Sequence, residues 1–314
     1  MEKLSIKNPS NLRTDFLGVK FPNPVVLASG ILGMSASSMA SVVRNGAGGV
    51  TTKSTNLEGQ DGHPGPKVIT YESGMLNCYG LTNAGFWHEK KEIAKFKKRL
   101  PQNPLIFSIF GFSLKEFQAI AQKVDQTRAD FIEINISCPN VQSEHGRPFG
   151  CVPGMPQKVI KAVKKLTKKP IIVKLSPNVV DIVEIAREVE SAGAHAISAI
   201  NTLGPGMVIN LETRCPVLSA KAGGMSGPAI RPLAVKMIYD IYENVKIPLI
   251  GIGGVTTGQD ALEMIMAGAQ LVEIGSGVYY RGISVFKRVC NEMQEWMRKQ
   301  GVKSIKEIIG AAHD

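Results

Sequence analysis

The 314-residue chain has little cysteine and little histidine, five of each, and neither set is clustered. Cys78, Cys138, Cys151, Cys215 and Cys290 form no C-x-x-C pair, which excludes a zinc ribbon and argues against a disulfide framework. That usage points to a reducing compartment, with the cytoplasm as the expected location. The histidines show no H-E-x-x-H or comparable spacing, so no structural metal is expected. No run reaches the roughly 18 apolar residues a membrane-spanning helix needs, and no membrane association is expected. The opening MEKLSIKNPSNLRTDFLGV also lacks the apolar stretch of a signal peptide. Low-complexity linkers and composition breaks are missing too, so residues 1–314 are expected to form one domain.

Charge is present but one-sided, with 37 basic residues against 26 acidic ones and a net charge of +11. The segments Lys90–Arg99 and Lys158–Lys169 space their lysines like the solvent faces of amphipathic helices. The excess is therefore read as solvated helix surface with some attraction for small anions, and nucleic acid is not an expected partner.

Short apolar, β-branched runs alternate with amphipathic helical patterns along the chain. Eight strand-like runs occur, at 24–30, 49–55, 104–111, 130–137, 170–177, 194–202, 248–255 and 270–278. Helical patterns lie near 35–46, 87–99, 113–127, 156–168, 179–192, 229–244, 257–267 and 284–299. Eight strand–helix units predict an α/β fold, a (β/α)8 TIM barrel, whose strands are apolar because both faces are buried. An open doubly wound sheet usually carries G-x-G-x-x-G at its first turn, whereas Ala28-Ser29-Gly30-Ile31-Leu32-Gly33 does not fit that pattern. Ahead of the first barrel strand, residues 12–25 predict a small N-terminal β-hairpin, turning at Gly18–Lys20, that could plug the barrel.

Chemistry in such barrels sits at the C-terminal ends of the strands. The ends here carry Ser29-Gly30, Lys53-Ser54, Asn135-Ile136-Ser137-Cys138, Lys174, Asn201-Thr202, Gly253-Gly254 and Gly275-Ser276. Lysines and asparagines are costly to bury without partners, and four at matching ends favour a bound polar ligand over mutual satisfaction. The glycines after strands 7 and 8 would let the backbone approach an anion, which makes this the expected phosphate site. A phosphate there with Lys174 deep in the barrel suits a phosphorylated flavin; a non-redox sugar phosphate is the competing reading. Cys138 follows strand 4 and opens a polar β4–α4 loop running to about Pro156, read as a lid. A thiol in that position could take a proton from substrate, although buried structural cysteines are common and Cys151 lies in the same loop.

Several segments together resemble class 1 dihydroorotate dehydrogenases. They are Asn135-Ile136-Ser137-Cys138-Pro139-Asn140, Asn77-Cys78-Tyr79-Gly80-Leu81-Thr82-Asn83, Ala199-Ile200-Asn201-Thr202, Gly224-Met225-Ser226-Gly227-Pro228-Ala229 and Ile250-Gly251-Ile252-Gly253-Gly254. The similarity runs from about Thr14 to Gln300. It implies oxidation of (S)-dihydroorotate to orotate in pyrimidine synthesis, with Cys138 removing the C5 proton while a hydride passes from C6 to FMN. Lys53, Asn77, Tyr79, Gly80, Leu81, Asn135, Asn140, Asn201 and Thr202 would bind the substrate. Ser29, Gly30, Lys53, Ser54, Ser108, Asn135, Lys174, Ile200, Gly227, Gly253, Gly254, Gly275 and Ser276 would bind FMN.

Two stretches depart from the family pattern. Phe107-Ser108-Ile109-Phe110 replaces the usual asparagine near the end of strand 3, leaving Ser108 as the candidate flavin contact, and Leu203-Gly204-Pro205-Gly206-Met207 follows Asn201-Thr202. The β4–α4 loop is similar to that of the NAD-linked subclass, which implies a separate FAD and iron–sulfur electron-transfer subunit; a homodimer is expected as well. The alternatives are a related FMN barrel acting on another dihydropyrimidine or on tRNA uridine, a non-redox phosphate-binding barrel lyase, and a non-catalytic binding protein.

Overall fold

A computed structural model of the chain describes residues 11–137 and 148–313. Eight parallel strands close into a barrel: β1 (Val25–Leu27), β2 (Gly49–Thr51), β3 (Leu105–Ile109), β4 (Phe131–Asn135), β5 (Ile171–Leu175), β6 (Ala196–Ala199), β7 (Leu249–Ile252) and β8 (Ala269–Ile274). Each coincides with one of the eight runs read from the sequence. Around them pack α1 (Ala36–Arg44), α2 (Phe86–Arg99), α3 (Leu114–Val124), α4 (Met155–Lys164), α5 (Ile182–Ser191), α6 (Arg231–Asn244), α7 (Gly258–Met266) and α8 (Val285–Gln300). Several helices start where a short polar side chain accepts from the first turn: Ser35 from Ser38, Ser113 from Glu116, and Asp181 from Val183 and Glu184. Thr257 and Asp260 form a reciprocal capping box at the start of α7. No helix among the described residues is long and apolar enough to cross a membrane.

The barrel interior changes character from one end to the other. At the N-terminal end a hairpin of Thr14–Phe16 and Val19–Phe21 turns at Leu17 and Gly18, both at positive φ, rather than at the expected Gly18–Lys20. Asp15 Oδ1 accepts the Gly18 amide at 2.9 Å and sets that turn. Phe16 and Phe21 then reach Phe131 with ring centroids 5.8 and 6.2 Å apart. They share a buried cluster with Val26, Ile106, Ile172, Ile250 and Leu271, so the hairpin closes this end. Each phenylalanine buried this way contributes roughly 1.5–3 kcal/mol. Further up, the buried inner residues include Ser108, Glu133, Lys174, Ser198 and Glu273, a polar layer beneath the mouth.

The mouth carries structure that the sequence pattern did not reveal. Strands Val68–Tyr71 and Gly74–Asn77, from the β2–α2 connection, join Leu203–Gly206 and Gly223–Ser226, from the β6–α6 connection, in a four-stranded antiparallel sheet. A short helix, Gly277–Arg281, follows β8 before α8 begins.

Two expectations need correction. Lys97, read as part of a solvated helix face, is buried and donates to the Asn103 carbonyl and Asp130, because α2 leans that side chain across the N-terminal end of β3. The polar stretch after strand 4 does not run unstructured to Pro156: a 3-10 turn occupies Phe149–Cys151, with Phe149 packed on Phe117, and α4 already begins at Met155. Cys138 and Asn140 lie outside the described residues.

Candidate active site

A cavity of about 390 Å³ opens at the C-terminal end of the barrel. The turn after β1 brings Ser29 and Gly30 to its wall, and the end of β2 brings Lys53 and Ser54. The antiparallel sheet and the loop after it supply Asn77, Tyr79, Gly80 and Leu81. Asn135 comes from β4, Lys174 from β5, and Ile200, Asn201 and Thr202 from the end of β6. Gly253 and Gly254 follow β7, and Gly275 and Ser276 follow β8. Residues as far apart in sequence as Ser29 and Ser276 thus line one space.

Two expected residues stand behind that wall. Ser108 is fully buried and reaches the cavity only through Ser54, whose hydroxyl lies 2.9 Å away. Gly227 does not line the cavity but backs the glycine turn after β7: a Cβ on Gly254 would come within 2.7 Å of the Gly227 carbonyl oxygen.

The polar side chains are locked to one another. Asn135 Nδ2 donates to Ser54 Oγ at 3.0 Å, and Ser54 Oγ also pairs with Ser29 Oγ at 3.0 Å. Asn135 Oδ1 accepts from the Ser137 amide and hydroxyl at 3.1 and 2.9 Å. Asn201 Nδ2 donates to the same hydroxyl at 2.9 Å, while its Oδ1 accepts the Thr202 amide at 2.8 Å. Side chains whose rotamers are fixed by such bonds present their remaining donors and acceptors without an ordering cost. The Lys53 ammonium lies 5.8 Å from the Tyr79 ring centre, over its face.

Opposite this polar rim the backbone is bare. Gly253 and Gly254 have φ of +134° and +72°, and a Cβ on Gly253 would lie 2.7 Å from Ala234 Cβ. Only glycine fits, and a ligand can approach the main chain directly.

Charge is concentrated beneath the mouth. Lys174 lines the cavity while almost wholly buried, and among the described residues no acceptor is placed to hold its ammonium. Two acidic side chains from the same interior layer escaped the sequence reading, although each sits in an otherwise apolar strand at an inward position. Glu133 accepts from Ser108 at 2.9 Å and Ser198 at 2.8 Å. Glu273 also lines the cavity; its Oε1 accepts from Thr51 at 2.6 Å, and its buried Oε2 has no partner among the described residues. Burial, reinforced by the neighbouring Glu133, pushes the Glu273 carboxyl up to about 8, against the opposing pull of Lys174 and the Thr51 hydroxyl. A further set of lining residues, including Val68, Met75, Ser226 and Tyr279, comes from the mouth sheet and the short helix, so the sequence pattern gave no cue to them.

A bare backbone cradle joined to a buried cation and a rim of fixed amides can hold a phosphorylated, planar ligand together with a small anion. The sequence profile of the dihydroorotate dehydrogenase family matches residues 11–297. The chain is 43% identical to the "dihydroorotate dehydrogenase B (NAD(+)), catalytic subunit" of Methanocaldococcus jannaschii, over 96% of this chain and 98% of that one. Proteins of the same description from Methanothermobacter thermautotrophicus and Brachyspira hyodysenteriae are each 42% identical, over 96% and 97% of this chain and 99% of theirs.

Proposed function

The chain belongs to the dihydroorotate dehydrogenase family, and from that premise we propose that it oxidises dihydroorotate to orotate, with FMN in the cradle and Cys138 as base. The observation that carries this reading is the single cavity uniting the Gly253-Gly254 turn with Lys174, Asn135 and Asn201. FMN suits the residues present: the glycine turn leaves room at the main chain for a phosphate, and the buried Lys174 ammonium on the cavity wall calls for an electron-rich ligand edge.

When bound, FMN supplies the hydride acceptor for the reaction. Lys174 favours negative charge above the barrel floor, and Ser54 and Asn135 offer hydrogen bonds at the same level. Lys53 holds the orotate carboxylate, while Asn77, Asn135, Asn140 and Asn201 match a ring that both donates and accepts. Cys138, next in sequence after Ser137, takes the C5 proton as a thiolate while the C6 hydride departs, which balances the loss of two hydrogens from dihydroorotate.

The description of the relatives as NAD(+)-linked catalytic subunits supports a second subunit carrying FAD and an iron–sulfur cluster as the electron outlet. A homodimer of this chain, working in the cytoplasm, completes the assembly this reading expects. The test is direct: the purified protein should be yellow, dihydroorotate should bleach it without oxygen, and orotate should appear in equal amount. A yellow protein that dihydroorotate leaves oxidised would overturn the proposal.

A further inference from the structure

We propose that Glu273 is a positioning residue that carries a proton beside Lys174, and that it takes up one proton from solvent when the cofactor is reduced in alkaline solution. This deepens the reading above and rests on FMN occupying the cavity.

The argument starts from the unequal surroundings of two carboxyls in one buried layer. Both Glu133 oxygens accept hydroxyl hydrogen bonds, from Ser108 and Ser198. Glu273 has one such bond, from Thr51, and its second oxygen, buried at the cavity, is bare among the described residues. Register places Ile252 of β7 and Val26 of β1 on its two sides, so neither flanking strand offers it a charge. The charged groups that act on it are Glu133 from β4 and Lys174 from β5, and Lys53 also lines the cavity.

Lys174 is the cation that acts on Glu273, and two ionised carboxyls beside it would leave that layer net negative in a low-dielectric core. The arrangement that avoids this excess charge puts a proton on the bare oxygen of Glu273. Its burial-raised titration near 8 agrees with that arrangement at neutral pH. Above that pH Glu273 ionises and cancels the Lys174 charge that the cofactor meets. Added electron density on the cofactor then draws the proton back. Two electrons and one proton reach the cofactor as hydride, the C5 proton goes to the base, and the Glu273 carboxylate forms an O–H bond with a proton from water. Reoxidation returns that proton, so no further reactant is consumed.

The test is the midpoint potential of the FMN-loaded protein between about pH 6 and pH 10, measured by chemical reduction without dihydroorotate. Wild type should show an alkaline slope steeper by one proton per two electrons than Glu273→Gln, and the two slopes should agree below neutrality. Equal slopes throughout would overturn the proposal. Infrared spectra of flavin-free protein give a second measurement: the difference between wild type and Glu273→Gln at neutral pH should contain a carboxylic-acid carbonyl band, over and above the Glu89 band that both proteins share. A difference spectrum without that band would also overturn the proposal. Should Glu273→Gln not fold, proton uptake on reduction of wild type, followed with a pH indicator, decides the matter: uptake must rise by one above the Glu273 titration, and a constant value refutes it. Yellow protein with the expected slopes but no response to dihydroorotate would sink the assigned activity alone, and colourless protein would sink both.

Discussion

Asn201 Nδ2 donates to Ser137 Oγ across 2.9 Å, joining the end of β6 to the residue that precedes Cys138 in sequence. The same hydroxyl donates to Asn135 Oδ1 at 2.9 Å, so two of the asparagines assigned to the substrate are held by one serine. Ser137→Ala leaves both amides to reorient. One neutral hydrogen bond is worth about 0.5–1.5 kcal/mol, so orotate affinity should fall about 3- to 10-fold while FMN content stays constant. Titration of the flavin absorbance with orotate checks this, and unchanged affinity would show that the asparagines are positioned by other contacts.

Cys138→Ser should slow flavin reduction by dihydroorotate at neutral pH by at least about 100-fold, since general-base contributions run to that order and a hydroxyl ionises far less readily than a thiol. FMN should remain bound. Anaerobic stopped-flow absorbance measures the rate, and similar rates in the two proteins would remove Cys138 from its role.

Gly254→Ala tests the cradle. The left-handed φ of +72° strains any side chain by about 1–2 kcal/mol, and the new methyl would press on the Gly227 carbonyl oxygen. The purified variant should retain a clearly smaller fraction of its FMN than wild type, with the far-ultraviolet circular dichroism of the barrel preserved. Full flavin content would mean that the phosphate binds elsewhere.

Glu89, buried on α2 with its Oε1 unpartnered among the described residues, gives a pH dependence of stability. Burial, and secondarily Glu92, raises its carboxyl from 4.5 to about 8. The folded protein therefore holds this proton more tightly than the unfolded chain does. The associated stability is complete below the unfolded value of 4.5 and is lost as pH rises towards about 8. Glu89→Gln should melt closer to wild type at pH near 5 than at pH near 9, where the variant should be the more stable protein by a few kcal/mol at most, roughly 1.4 per pKa unit. Thermal melts at the two pH values check the sign; a constant difference would show that Glu89 stays ionised throughout.

The barrel was legible because a strand buried on both faces reads as a continuous apolar run, and Ser35, Ser113, Asp181 and Thr257 mark where helices begin. Part of the cavity wall, from Ser29 and Gly30 round to Gly275 and Ser276, followed from the rule that barrel strands end at the chemistry, whereas Asn77, Tyr79, Gly80 and Leu81 came from the family resemblance. The mouth sheet was hidden because strands such as Leu203-Gly204-Pro205-Gly206 and Gly223-Gly224-Met225-Ser226 lack alternation and are full of residues that usually break strands. The burial of Lys97 was not legible either, since its partner Asp130 lies 33 residues away. Ser108 and Gly227 illustrate a different limit. A family resemblance brings a residue near a cavity, but which residue forms the wall and which stands behind it depends on depth in the fold.

The phenylalanine-packed hairpin at the foot of the barrel makes the molecule a cup with a sealed base. Reactant and product must then share one doorway. Orotate has to vacate the berth before another dihydroorotate can settle there, so the product is an obligatory competitor of its own precursor, and the rim over that doorway governs both arrival and departure.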